Sequence, residues 1–208
     1  LRDGDHARRD AYPRRLCPVR GAGVRDRLAD RVADIIRRDP VRWPLLEIVD
    51  SLGLPDCWVG AGFIRNAVWD HLHGYAVSPP SGDIDVIWFG KDAPSPADRD
   101  IEARLIQAAP GFDWSVKNQA LMHIRNRDRR YENTQDAMRF WPETATAVAV
   151  RRQPDNRCEV SAPLGLTDLF DGILRPTDRF VAEKRPIFDG RIAAKRWLQL
   201  YPKLQLAS

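Results

Sequence analysis

Asp83-Ile84-Asp85 and Gly60-Ala61-Gly62 are the two short motifs of this 208-residue chain whose residue types and spacing could do chemistry. The run Asp83-Ile84-Asp85-Val86-Ile87-Trp88-Phe89 is rich in strand formers. Strand alternation puts Asp83 and Asp85 on one face, with Cα atoms about 6.5 to 7 Å apart, and sends Ile84 and Val86 to the core. Like charges held that close are costly unless a cation neutralises them, and hard carboxylate oxygens suit Mg²⁺ or Mn²⁺. On its own an Asp-x-Asp pair fits the wet face of an edge strand equally well. The second motif adds weight: Cys57-Trp58-Val59 reads as a buried strand entering Gly60-Ala61-Gly62, with a helix from Phe63 to His73 closed by Gly74. A strand, glycine turn and helix start present backbone N–H groups and a helix N-terminus to a phosphate.

The elements that must position these motifs follow from periodicity. Leu28, Val32, Ile35 and Ile36 form the stripe of an amphipathic helix starting at Val24 and ending before Pro40, and a second helix runs from Trp43 to Leu52. Ser95-Pro96 starts a helix through Ala109, and Phe112 to Lys117 reads as a strand. Thr134 caps a short helix before Pro142. Thr144 to Val150 and Arg157 to Ser161 read as strands of a hairpin turning at Pro154-Asp155-Asn156. Thr167 caps a segment to Leu174, and Ile192 to Leu200 is the last helix. Strands alternating with helices predict an α+β domain, a mixed α/β sheet flanked by helices, over residues 24–208.

Composition sets the outer limits. A hydrophobic fraction of 43% with 30% charged residues is that of a globular chain able to build a core. No apolar run is long enough to span a bilayer and the N-terminus is charged, so a cytoplasmic location without a membrane partner is expected. Cys17, Cys57 and Cys158 are far apart and lack a C-x-x-C pair, and they read as free thiols. The net charge of +4 is uneven, with Arg2, Arg8, Arg9, Arg14, Arg15 and Arg20 crowding residues 1–23, which read as a solvated, poorly ordered basic tail. The chain begins with Leu1 and not methionine, so it reads as a fragment or as starting upstream of the natural start.

Gly60-Ala61-Gly62-Phe63-Ile64-Arg65-Asn66 followed by Asp83-Ile84-Asp85 resembles the DNA polymerase β-like nucleotidyltransferase superfamily. The glycine turn is similar to that of tRNA CCA-adding heads, with Ala61 where their first paired glycine stands and Asn66 where an aspartate is usual. Val59 to Trp69, Asp83 to Val86, Trp114 to Ala120 and Ala162 to Phe170 together resemble a bacterial family of uncharacterised predicted nucleotidyltransferases. The resemblance spans about residues 40 to 200. It implies a nucleotidyltransferase-type sheet that binds a nucleoside triphosphate with Mg²⁺ or Mn²⁺ and moves a nucleoside monophosphate to an acceptor. Asp83 and Asp85 would then hold the metal, Gly60, Ala61 and Gly62 would make room for phosphate, and Arg65 would pair with a phosphate oxygen.

The superfamily pattern also calls for a third carboxylate on a later strand. Glu159 is preferred as a catalytic metal ligand because Cys158 and Val160 alternate with it as buried neighbours, and Asp113 competes from the start of the strand after the intervening helix. Lys117 and Asn118 end a strand and are candidate contacts to phosphate or base. The arginines from Arg125 to Arg130 suit a polyanion or a solvated loop. His71 and His73 do not share a helix face and make a poor metal pair, and His123 reads as a packed or capping histidine. A small molecule or a protein hydroxyl is the favoured acceptor, because the chain lacks the long helical extension with which template-independent RNA polymerases grip their substrates. An RNA end comes next. Two readings of other kinds stand beside the enzyme: a nucleotide-binding sensor without turnover, and an RNA- or DNA-binding module using the basic tail and arginine loop.

Overall fold

The computed structural model describes residues 22–92 and 97–207. The basic tail, Cys17 and the expected Ser95-Pro96 helix start lie outside the described residues. Helix α1 (Ala22–Arg38) turns its apolar stripe inward, leaving Val32 and Ile36 fully buried. Asp39 then accepts hydrogen bonds from the backbone N–H groups of Val41 and Arg42, each at 2.9 Å, and satisfies the start of α2 (Arg42–Asp50). Arg42 is itself buried. Its guanidinium donates to the carbonyls of Phe63 and Ser78, at 2.8 Å each, and so ties α2 to the segments that carry both motifs.

Strands β1 (Trp58–Gly60), β2 (Ile84–Trp88) and β3 (Trp114–Asn118) join β4 (Ala149–Arg152) and β5 (Cys158–Ser161) in a five-stranded sheet of order β3-β2-β1-β4-β5. Within this sheet only the β2–β3 pair is parallel, and α4 (Ala97–Ala108) makes the crossover that a parallel pair requires. Val59, Ile84, Val86, Val116 and Val150 share one face and form the main core with α1, α2 and α3 (Gly62–His73). The opposite face carries Trp58, Ile87 and Ala149 under Met138 and Trp141, and Asp85 belongs to this face. Gly74 ends α3 in the left-handed conformation that glycine takes without Cβ strain.

The sheet, α3 and the Pro154–Asn156 hairpin match the sequence expectation, and the α+β class is as expected. Several details differ, among them that Asn133 and not Thr134 caps the short helix and that the helix at Thr167 ends at Asp171. The strand expected from Thr144 is a 3-10 turn at Thr144–Thr146, closed by Thr146 N–H donating to Glu143 C=O, and β4 begins only at Ala149. Gln119–Asn126, for which no element was expected, is helix α5, capped by the Asn118 side chain. The last helix is two pieces: after α6 (Thr134–Met138), α7 (Thr167–Asp171) and α8 (Asp178–Val181), α9 (Arg185–Lys195) breaks at Arg196, whose φ of 52° starts α10 (Trp197–Leu200). Short strands β6 (Ile173–Leu174) and β7 (Gln205–Leu206) pair in parallel beside this segment.

Candidate active site

Asp83 and Asp85 both line a cavity of about 370 Å³ between the sheet, the first turn of α3 and the α9–α10 segment. Asp83 precedes β2 and is exposed, whereas Asp85, one strand repeat further in, is largely buried. Burial, and then the neighbouring Asp83, push the Asp85 carboxyl up to about 6 from 3.8, against the pull of Arg65, Arg191 and Lys195. A carboxylate pair destabilised in this way gains from a bound cation.

The turn Gly60-Ala61-Gly62 delivers the chain from β1 into α3 directly beside the acids. Ala61 has φ 53° and ψ −121°, a conformation that costs a residue with a Cβ, and its carbonyl accepts from the N–H groups of Ile64 and Arg65. Ala61 and Gly62 line the cavity. Asn66 donates to Ser81 Oγ at 3.2 Å, linking the first turns of α3 to the loop that leads into Asp83. Arg65 is 5% exposed. Its Nη1 donates to Thr146 Oγ1 and its Nη2 to Asn66 Oδ1, while the buried Nε has no partner. The guanidinium lies against both Trp69 and Trp197, 5.2 and 4.4 Å from their ring centroids. Desolvation lowers its pKa to about 10, so it remains a cation at neutral pH.

Sequence reasoning missed the wall opposite α3. Arg191, Lys195, Trp197 and Tyr201 all line the cavity. The i, i+4 spacing of Arg191 and Lys195, which puts both on one helix face, was a usable signal, but the left-handed break at Arg196 that turns Trp197 inward was not visible.

The structure does not bring four of the expected site residues into the lining of this cavity. Glu159 sits on edge strand β5, three strands from β2 and thus about 14 Å away across the sheet. Its carboxylate accepts from Arg151 Nε at 2.8 Å and from Gln153, and Arg151 in turn stacks on Trp58. The alternation of Cys158 and Val160 located a strand but not its place in the sheet. Lys117 lies outside the cavity, one strand beyond β2, and its Nζ donates to the Val116 carbonyl. Asn118 is buried, and its side chain accepts from the Gly90 and Ala120 N–H groups and donates to the Gly90 carbonyl, which ties it to the start of α5. Gly60 lies under Trp141, where a Cβ would sit 2.8 Å from the ring, so packing accounts for this glycine. Asp113, the competing acid, stands beside Asp83 at the start of β3 but is exposed and outside the cavity lining.

Among the described residues no cluster of three acidic, histidine or cysteine side chains is preassembled for a metal. Asp83 and Asp85 nonetheless fit a hard divalent ion that keeps part of its shell for water or phosphate, because both are oxygen donors in one polar cavity and Asp85 is ionised at a cost. No helix among the described residues is long and apolar enough to cross a membrane.

Comparison with known proteins agrees with this fold. A protein whose solution structure revealed a CCA-adding enzyme head domain has 30% identity to this chain, covering 86% of it and 95% of its own length, with a TM-score of 0.77. A CCA-adding enzyme in complex with CTP and the Thermotoga maritima CCA-adding enzyme complexed with tRNA share the fold at 16% identity, with TM-scores of 0.54 and 0.51. The alignments take in 86% and 85% of this chain, which spans 43% and 42% of those two longer enzymes. Curated proteins give no significant match. A family model described as nucleotidyltransferase matches residues 47–206, a span that runs from α2 through the acidic pair to the α9–α10 wall, and the chain belongs to that nucleotidyltransferase family.

Proposed function

We propose that this protein is a metal-dependent nucleotidyltransferase that moves a nucleoside monophosphate from a nucleoside triphosphate to an acceptor hydroxyl. The observation that carries the reading is the single cavity in which Asp83 and Asp85 meet the start of α3, Arg65 and the cations of α9. The likeness at 30% identity to a CCA-adding head domain supports triphosphate as the donor. Asp83 and Asp85 would hold Mg²⁺ or Mn²⁺, which when bound supplies Lewis-acid stabilisation of phosphate charge. Arg65, held against two tryptophan rings and by Thr146, puts a fixed positive charge in the cavity wall for the phosphates. Ala61 and Gly62 let the donor approach the backbone at the N-terminus of α3. The acceptor oxygen forms the new bond to the α-phosphorus as the bond to the bridging oxygen breaks and pyrophosphate leaves. The cavity is compact, in keeping with a small molecule or a protein hydroxyl as acceptor, and an RNA end comes second. The proposal takes residues 24–208 as one cytoplasmic domain preceded by a basic tail.

The test is transfer of label from α-labelled triphosphates, with Mg²⁺, to components of a bacterial lysate, with Asp85→Asn as control. Label on a small molecule or protein above the control is the expected result. Label confined to RNA moves the acceptor assignment. Nucleotide binding without transfer of any label converts the reading to a sensor.

A further inference from the structure

Helix α9 is fastened at three points. Lys184, just before it, donates to the Asn126 carbonyl and to the buried carboxylate of Asp128, which also holds Arg179. Beyond its far end Tyr201 donates to Asp70 of α3, and Trp197 packs edge-on against Trp69 at 5.8 Å. Between these anchors Arg191 is bound to Glu143, which is fully buried, with Nε to Oε1 at 2.7 Å and Nη2 to Oε2 at 3.2 Å. A guanidinium carries five N–H donors, so this side-on grip leaves Nη1 and one N–H of Nη2 free. Lys195, one turn on, is exposed and lines the cavity with Arg191.

None of the three cations at this cavity forms an ion pair with Asp83 or Asp85, although all act on the Asp85 charge. Arg65 opposite α9 is 5% exposed and keeps a buried Nε without a partner. Cations that face carboxylates across a cavity without touching them, one of them with an unsatisfied donor, are arranged for an anion between the walls. Arg191 and Lys195 form a row about 5 to 6 Å long on one helix face, which suits a phosphate chain better than a single phosphate. A fixed guanidinium fork beside a mobile ammonium is a common pairing for phosphate oxygens.

Resting on the nucleotidyltransferase reading, we infer that α9 is a polyphosphate clamp: Arg191 and Lys195 hold the phosphates beyond the α-phosphate of the triphosphate, and Glu143 is the positioning residue that aims Arg191. The clamp sets the preference for triphosphate over monophosphate.

Calorimetric titration in Mg²⁺ with each common nucleoside triphosphate, the matching monophosphates and inorganic tripolyphosphate tests it. Arg191→Gln and Lys195→Gln should each weaken triphosphate and tripolyphosphate binding about tenfold or more while monophosphate affinity holds. Glu143→Gln should reproduce the Arg191→Gln loss in the triphosphate-to-monophosphate ratio, and Glu143→Asp, which keeps the charge that pairs with Arg191, should restore part of it. Equal losses for mono- and triphosphate, or unchanged triphosphate affinity in folded Arg191→Gln and Lys195→Gln, would overturn the clamp alone. Tighter triphosphate binding in Glu143→Gln would overturn the positioning role. Wild-type protein that binds neither triphosphate nor tripolyphosphate removes the nucleotidyltransferase reading and the clamp together, whereas tripolyphosphate binding without any nucleotidyl transfer leaves the clamp standing and rejects the transferase.

Discussion

Gly60 and Asp85 are register partners across the antiparallel pair of β1 and β2. The end of the strand that opens the glycine turn and the inner acid of the pair are therefore neighbours in one sheet row, although 25 residues apart in sequence. Paired positions lie about 4.5 to 5.5 Å apart at their Cα atoms, so the start of α3 and the acidic strand can serve one ligand without any long side chain bridging them. The two motifs have a physical reason to belong together: hydrogen bonding between β1 and β2 fixes their spacing.

Removing either acid should abolish Mg²⁺-dependent nucleotide binding, and for Asp85 the metal-free protein should become more stable. The folded-state pKa of Asp85 is raised to about 6 from 3.8, so folding disfavours its charged form. Below the lower value both states are protonated and nothing is lost. As pH rises between the two, the unfolded chain releases its proton first and stability falls, and above the upper value the whole penalty is present. In EDTA, Asp85→Asn should therefore raise Tm at about pH 7.5 and change it little near pH 4, where the wild-type carboxyl is already neutral when folded. A Tm gain of equal size at both values would remove ionisation as the cause.

Glu159→Gln should leave Mg²⁺-dependent nucleotide affinity unchanged and alter stability by no more than about 1 kcal/mol, the usual range for an exposed ion pair. Its side chain is 41% exposed and that of its partner Arg151 35% exposed. Titration of the variant beside wild type decides the matter, and loss of metal-dependent binding would bring the residue back into the site.

Much of the fold was legible because it rests on local patterns. The stripe Leu28, Val32, Ile35, Ile36 predicts α1, and the strand, turn and helix around Gly60 to Gly74 appear as expected. The acidic pair was legible too, since alternation along β2 is a property of two adjacent residues and their spacing. Sheet order was not legible. Nothing local in Cys158-Glu159-Val160 says that β5 is an edge strand three places from β2, and nothing in Lys117-Asn118 says that the Asn amide is taken up by Gly90. Glu143 was hidden in the same way: it precedes an expected strand, and only the approach of α9 from far along the chain makes it the buried partner of Arg191.

Gly60→Ala should destabilise the fold by about 1 to 3 kcal/mol, the range for a methyl forced into a filled space. The added Cβ would stand 2.8 Å from the Trp141 ring and 3.5 Å from Ile87 Cδ1, in the small core beneath β1. Pairing with Trp141→Leu separates packing from phosphate room. The double variant should recover part of the lost stability in urea melts if the ring is the obstacle, and no recovery would show that the backbone itself requires glycine here.

Ala61→Gly should stabilise the protein. Ala61 holds φ 53° and ψ −121°, which brings Cβ against the backbone and which glycine adopts freely. Such a conformation costs a non-glycine residue about 1 to 3 kcal/mol. Glycine gives back about 0.5 to 1 kcal/mol through the greater freedom of the unfolded chain. The net expectation is a gain of about 1 kcal/mol, which for a domain of this size raises Tm by roughly 2 to 4 °C. The surroundings impose the strained geometry. Ala61 N–H donates to the Val148 carbonyl at 3.0 Å, its carbonyl accepts from Arg65 N–H at 3.0 Å, and the turn must pass from β1 to α3 within one residue. Substituting valine, whose branched Cβ is still less tolerant of positive φ, should lower stability further, giving the order Gly, Ala, Val. Chemical denaturation of the three variants at one pH measures it. An Ala61→Gly protein less stable than wild type, with Val no worse than Ala, would show that contacts of the Ala61 methyl in the cavity wall outweigh the backbone strain.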